Sequence, residues 1–224
     1  MTDRPMNFRD WEIRALLDGR KTQTRRVIPQ PFADGYYDGG IDCTYVPAKA
    51  SNVAAYYRFA AASVGGGAVR TEELDPHYSA GDRLWVREAW TTGSHLDGIA
   101  ARYINPSQSI GYLANEDEAP WLGRIRRPTH MPRWASRLTL VVTDVRVQRL
   151  QEISSDDAEA EGIVVNDAGL VVIDGMAHTA RAAFRRLWDS INAKRGHGWD
   201  ANPWVCALTF TVHHGNIDTL ERVS

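Results

Sequence analysis

The stretch Gly19-Arg20-Lys21-Thr22-Gln23-Thr24-Arg25-Arg26 is the most informative part of this chain. Four of its eight residues are cationic, and two threonines lie between them. A buried strand does not tolerate so many charges, and a solvated surface does not require two hydroxyl groups at this spacing. The combination suits a pocket that holds an anionic group and carries out chemistry on it. The alternative is a basic strand edge that faces solvent.

Three later segments are informative together with residues 19–26. They are Gly81-Asp82-Arg83-Leu84-Trp85-Val86, Ala158-Glu159-Ala160-Glu161-Gly162 and Asn202-Pro203-Trp204-Val205. Together with the first stretch, their order resembles that of the motifs in ASCH domains of the PUA-like superfamily. The chain resembles this family from about residue 7 to residue 213, in a longer variant similar to those encoded by phages and prophages. The resemblance implies an α+β fold, a PUA-like mixed β-barrel with peripheral helices.

Local patterns predict helices and strands along a single domain that covers residues 1–224. Apolar residues at i, i+3 and i+4 indicate a helix over 7–18 with Asn7 as N-cap, a serine-capped helix ends at Gly162, and the longest helix covers 178–193. The strongest alternating segment is 136–150. Further strands are predicted at 20–27 (or a curled loop), 53–61, 83–90, 100–104, 109–113 and 204–212, with a hairpin over 164–173 that turns at 166–169. Residues 28–80 have the composition of an insertion, and residues 215–224 are expected to be a loose tail.

Composition limits the class of protein. The chain has 224 residues, of which 43% are hydrophobic and 24% charged, as in an ordinary soluble domain. The two cysteines, Cys43 and Cys206, are far apart and form no CxxC pattern, so we expect no zinc site or disulfide framework and a reducing, cytoplasmic location. No signal pattern or membrane-spanning apolar run is present. We therefore expect no membrane, metal or cofactor; the oligomeric state is left open.

The family resemblance implies a catalytic trio. Some bacterial ASCH proteins are amidohydrolases that remove the acetyl group from N4-acetylcytidine, and their motif positions correspond to Lys21, Thr24 and Glu161. A threonine hydroxyl is a weak nucleophile until a base takes its proton. A neutral lysine can be that base, and a carboxylate can orient it. The sequence departs from the family at Arg25-Arg26 and in its long insertion, which leaves the substrate size open.

The trio requires irregular backbone. Residues 21 and 24 would point to opposite faces of a flat strand, so they converge only if this segment curls or bulges. Glu161 follows a short helix, where negative charge is unfavourable by ~0.3–1 kcal/mol, so we expect a cation beside it, with Lys21 as the candidate. The alternative for Glu161 is a solvated surface position.

Basic and aromatic residues form a second set of candidate site residues, which we predict to bind substrate or nucleic acid. From 119 to 143 the chain contains five arginines and no acid. Arginine–phosphate contacts and base stacking are the functional interpretation, and core packing of Trp121 and Trp134 is the alternative. The predicted binding residues are Arg20, Thr22, Arg25, Arg26, Arg124, Arg126, Arg127, His130, Arg133 and Trp134.

Three functions fit these residues. The first is an amidohydrolase acting on an N4-acylated cytosine nucleoside or base, with Lys21, Thr24 and Glu161 as its site. The second is a non-catalytic module that binds RNA or a modified nucleobase, and the third is an ASCH-type ribonuclease. Retention of all three residue types favours the first. The expected partner is a modified nucleoside or RNA.

Overall fold

A central five-stranded sheet organises the part of the chain that the computed structural model describes, residues 2–31, 41–46, 56–62, 69–115 and 122–221. In spatial order its strands are β1 (Asp3–Asn7), β6 (Arg83–Arg87), β9 (Leu138–Arg149), β12 (Trp204–His214) and β2 (Gln23–Val27). β1 and β6 are parallel and the other neighbours are antiparallel, so the sheet is mixed. The predicted α+β class is confirmed. The predicted barrel is not, because the described strands form open sheets.

Helices and smaller sheets flank the central sheet. The helices are α1 (Asp10–Leu17), α2 (Ser155–Ala160) and α3 (Ala180–Asn192). The smaller strands are β3 (Ile41–Val46), β4 (Tyr56–Ala62), β5 (Val69–Leu74), β7 (Trp90–Thr91), β8 (Gly111–Tyr112), β10 (Leu170–Ile173) and β11 (Met176–Thr179). Among the described helices, none has the length and apolar character needed to cross a membrane.

The two long strands β9 and β12 carry the core. Alternation along β12 places Leu208 and Phe210 in one cluster with α1 and β4, whereas Val205 packs on the other face with Phe184 and Trp188 of α3. β4, which lies within residues 28–80, contributes Phe59, whose ring centroid is 5.0 Å from that of Trp204. Both faces of the sheet are therefore covered beside β2.

Strand β1 was not predicted from the sequence. The pattern indicated a helix from Asn7, but Asn7 ends β1, and Arg9 is the N-cap of α1. Pro5 interrupts the strand pattern, because proline donates no backbone hydrogen bond. Within sheets, proline is confined mainly to edge strands. β1 is such an edge, and its register with β6 pairs Pro5 with Trp85.

Three other segments differ from their predictions. Residues 101–103 form a 3-10 turn instead of a strand. The hairpin pairs β10 with β11 and turns at Asp174-Gly175, where both residues have positive φ, so the predicted turn at 166–169 lies before it. The described part of the tail is held in place, because Ile217 is buried and the Asn216 amide donates hydrogen bonds to three main-chain carbonyls.

Candidate functional site

Lys21 lies in the irregular turn between α1 and β2. Its backbone N–H donates to the carbonyl of Ala15, and β2 begins only at Gln23, so the predicted irregular backbone is present at 20–22. The Lys21 side chain has no exposed surface. Its Nζ donates to the Glu161 carboxylate at 2.8 Å and to the Glu161 main-chain carbonyl at 2.8 Å, and Glu12 Oε1 lies 3.6 Å away. These three acceptors match the three donors of an ammonium group.

Glu161 follows the last residue of α2 and is 5% exposed. One carboxylate oxygen accepts from Lys21, and the other accepts from Arg25 Nη1 at 3.1 Å. Two cations therefore offset the unfavourable field of the helix C-terminus, and the predicted contact with Lys21 is confirmed.

The ion pairs continue beyond Glu161. Arg25 Nη2 donates to Asp157 at 2.8 Å, and Arg146 donates to the other oxygen of Asp157 at 3.1 Å. Burial alone would raise the pKa of Asp157, but the charges of Arg25 and Arg146 outweigh it and hold the pKa below its ordinary value. Arg25 is thus occupied by two carboxylates and serves to fix the position of Glu161.

Gly162 allows the close approach of α2 to Lys21. Its φ is +99°, a conformation that L side chains rarely adopt. A Cβ at this position would lie 3.0 Å from the Cβ of Ala15 and 3.4 Å from the Cβ of Lys21. The glycine that ends the acidic motif is therefore required by both conformation and space.

A cavity of about 600 Å³ adjoins this ion-pair network. Thr24 and Glu161 both line it, together with the aromatic side chains of Phe8, Trp11 and Trp188. Thr24 is 2% exposed, and within the described residues no hydrogen bond engages its hydroxyl group. The site thus places a free hydroxyl and a buried Lys–Glu pair beside an aromatic-walled space.

The cavity wall is strongly cationic. Its described charged residues are Arg9, Arg25, Arg26, Arg127, Arg195, Glu12 and Glu161. Both glutamates are already engaged, since Glu161 pairs with Lys21 and Arg25, and Glu12 accepts from the Arg9 backbone N–H while facing Lys21. Arg26 donates to the carbonyl of Asn7 at 2.9 Å and lies over the Phe8 ring at 5.1 Å.

Two predicted binding residues have structural roles instead. Arg126 is 6% exposed and donates to the carbonyls of Ile99 and Leu96 at 2.9 and 2.7 Å. Arg133 pairs with Asp3 at 2.7 Å and with Asp218 at 2.6 Å. Their donors are used for contacts within the protein, and neither residue lines the cavity.

The other predicted binding residues lie outside the cavity wall. Arg20 pairs with Asp18 at 2.7 Å, and Thr22 is exposed. Arg124 and His130 are also exposed without lining the cavity, and Trp134 packs beside the buried Trp90. Of the predicted binding residues, only Arg25, Arg26 and Arg127 line the cavity. Trp121 lies outside the described residues.

Several wall residues were missed from the sequence. Trp11 and Glu12 lie in the first turn of α1, where an acidic residue is ordinarily explained by the helix dipole. Trp188 and Arg195 come from α3 and the turn that follows it. Both are more than 160 residues away in the sequence from Lys21 and Thr24. The available signal was the position of Glu12 four residues before the buried Leu16, which places an acidic residue on the apolar side of α1.

Comparison with protein-family models, curated proteins and solved structures finds no match for this chain. The ASCH resemblance therefore rests on the four motifs alone and stays a prediction. Among the described residues, no group of three or more His, Cys, Asp or Glu side chains could hold a metal ion.

Proposed function

We propose that this protein is an ASCH-type amidohydrolase that removes an acyl group from an N4-acylated cytosine nucleoside or base. The observation that carries the proposal is the cavity lined by both Thr24 and Glu161, with Lys21 directly behind Glu161 at 2.8 Å. A nucleophile, a proton acceptor and a binding space are the parts that amide hydrolysis needs.

The chemistry begins with Thr24. Its hydroxyl oxygen attacks the acyl carbonyl carbon, and its proton passes to the carboxylate of Glu161, which lines the same cavity and is held by Lys21. Collapse of the tetrahedral intermediate breaks the bond between the carbonyl carbon and N4. N4 takes up the transferred proton and leaves as the free cytosine amine. A water molecule then hydrolyses the acyl-threonine ester by the same steps and releases the carboxylic acid.

The cavity wall suits a planar substrate. Phe8, Trp11 and Trp188 supply aromatic surface against which a pyrimidine ring can stack. Arg25 restrains the Glu161 carboxylate from its far side, so the proton acceptor is held in one orientation before substrate binds. This preorganisation is the contribution we assign to the buried ion pairs.

Acetate release from N4-acetylcytidine tests the proposal. Wild type is expected to release acetate and cytidine in equal amounts, and Thr24→Ala is expected to lose activity by roughly 1,000-fold or more, as for removal of a nucleophile. Thr24→Ser keeps a hydroxyl and should retain part of the activity. Thr22→Ala is the matched control, because Thr22 belongs to the same motif but is exposed and lies outside the cavity wall.

A second candidate is a non-catalytic module that binds a modified nucleobase or RNA. It is favoured by the complete burial of Lys21, whose donors all face carboxylate or carbonyl oxygens, as in a purely structural ion pair. Such a module would bind N4-acetylcytidine without releasing acetate, and Thr24→Ala would leave its turnover unchanged at zero. Product release by wild type therefore separates the two functions directly.

A further inference from the structure

Three arginines at the cavity have no partner within the described residues. The side chains of Arg9, Arg127 and Arg195 are exposed, and none of them forms an ion pair or a hydrogen bond there. All three line the same cavity.

Several other exposed arginines are paired. Arg20, Arg185 and Arg186 are also exposed, and each pairs with an aspartate at 2.7–3.0 Å. Among the described residues of the cavity wall there is also no free carboxylate, since Glu12 and Glu161 are committed to Lys21 and Arg25. The charge at the cavity is left for a ligand to neutralise.

Two local features hold Arg127 in place. The adjacent Arg126 pairs with Trp90 through two backbone hydrogen bonds of 2.7 and 3.2 Å, and its side chain points into the protein. The carbonyl of Thr129 accepts from Arg87 at 3.3 Å. The Arg127 backbone is therefore fixed on both sides while its side chain stays exposed at the cavity.

We infer that the ligand of this cavity is a single nucleotide, whose phosphate group is bound by Arg127 and Arg195, with Arg9 adding to the positive field. The inference rests on the proposed function and names its substrate class, an N4-acylated cytidine nucleotide rather than the uncharged nucleoside. Guanidinium groups match phosphate oxygens in geometry as well as charge.

The volume of the cavity matches a single nucleotide. Small-molecule sites enclose roughly 300–1,000 Å³, and this cavity has about 600 Å³. The aromatic side chains Trp11 and Trp188 occupy the wall that would face the base. A continuous strand would instead need an open groove with successive stacking surfaces.

Binding of cytidine 5′-monophosphate, compared with cytidine, tests the inference by calorimetry. Neither ligand carries an acyl group, so the result does not depend on turnover. The monophosphate is expected to bind at least ~10-fold more tightly than cytidine, because charge-assisted hydrogen bonds to one arginine already supply this much. Arg127→Gln and Arg195→Gln should each remove most of that advantage and leave cytidine affinity unchanged. Arg186→Gln is the control, since Arg186 lies on α3 but pairs with Asp174 outside the cavity.

Three results would overturn the inference. They are equal affinity for cytidine and its monophosphate, no binding of either, or an unchanged preference in both arginine variants. Tighter binding of a cytidine oligoribonucleotide than of the monophosphate would replace the single nucleotide with an RNA strand. Arginine-dependent binding of the monophosphate without acetate release from its N4-acetyl form supports the phosphate site while refuting the amidohydrolase. Acetate release without a preference for the monophosphate supports the amidohydrolase and refutes the phosphate site.

Discussion

Arg126 and Arg127 are adjacent in the chain and lie in opposite environments. Arg126 is buried under the Trp90 ring, 5.4 Å from its centroid, and donates to two main-chain carbonyls. The Arg127 side chain is exposed and makes no hydrogen bond to a described residue. One arginine therefore holds the loop, and the next is free to contact a ligand.

This contrast predicts different effects on stability. Arg126→Ala leaves the carbonyls of Leu96 and Ile99 without their donors and should lower the free energy of unfolding by about 1–3 kcal/mol. Arg127→Ala should change it by less than about 0.5 kcal/mol, as for an ordinary surface residue. Urea denaturation of the two variants measures the difference. Equal losses in both variants would contradict the structural role given to Arg126.

The Lys21–Glu161 pair predicts strong coupling between two substitutions. Lys21→Met or Glu161→Gln alone leaves a buried charge without its partner and should cost about 3–5 kcal/mol in unfolding free energy. The double variant should cost clearly less than the sum of the two. Urea denaturation of all four proteins gives the coupling energy.

The exposed pair Arg185–Asp200 provides the control for that cycle. Its atoms are 3.0 Å apart, but the side chains are 49% and 84% exposed. The same cycle with Arg185→Met and Asp200→Asn should give a coupling below about 1 kcal/mol. Similar coupling in the two pairs would mean that burial does not strengthen the Lys21–Glu161 contact.

Gly162→Ala tests the close approach of α2 to Lys21. The new methyl group would lie 3.0 Å from the Cβ of Ala15, at a φ of +99°, so a loss of about 2–4 kcal/mol in unfolding free energy is expected. Gly169→Ala is the control, because its φ is +70° but no atom lies within 4 Å of the added group. It should lose only about 1–2 kcal/mol, the cost of the backbone conformation. Thermal and urea unfolding of both variants would show whether the contact adds to that cost.

Asp3 predicts a pH dependence of stability. Its hydrogen bond with Arg83, reinforced by Arg133, lowers the pKa of Asp3 from 3.8 to about 2 despite partial burial. Because the folded pKa lies below the unfolded one, the contribution is complete above pH 3.8 and is lost as the pH falls towards 2. Asp3→Asn should therefore be less stable than wild type by about 2 kcal/mol near neutrality, with the difference shrinking in acid. Urea unfolding of both proteins across this pH range measures the difference, and a difference that stays constant down to pH 2 would contradict the role given to Asp3.

Periodic segments could be predicted from the sequence, and contacts between distant segments could not. The alternation over 136–150 and the amphipathic pattern over 178–193 correspond closely to β9 and α3, because local side-chain spacing determines both. The hairpin differs from its prediction because it turns at Asp174-Gly175, an Asp-Gly pair of the kind that favours two-residue hairpin turns, and not at 166–169.

In the candidate site, too, some contacts could be predicted from the sequence and others could not. The contact between Lys21 and Glu161 was predicted from motif positions, and it is present. The different fates of Arg126 and Arg127 were not predictable, because they depend on a backbone pairing with Trp90, 36 residues earlier. The convergence of Trp11 and Arg195 on one cavity requires α1 and α3 to pack beside β2, which no local pattern contains.

The edge strand β1 also has a consequence for association between molecules. The carbonyl of Thr2 and the N–H of Phe8 bond to β6, so by alternation the backbone groups of Asp3, Pro5 and Asn7 face away from the sheet. Pro5 has no N–H to offer, and the carbonyl of Asn7 is already taken by Arg26. An incoming strand from another copy would therefore find this row of backbone groups interrupted at Pro5 and Asn7, which weakens the strand addition through which sheet proteins aggregate.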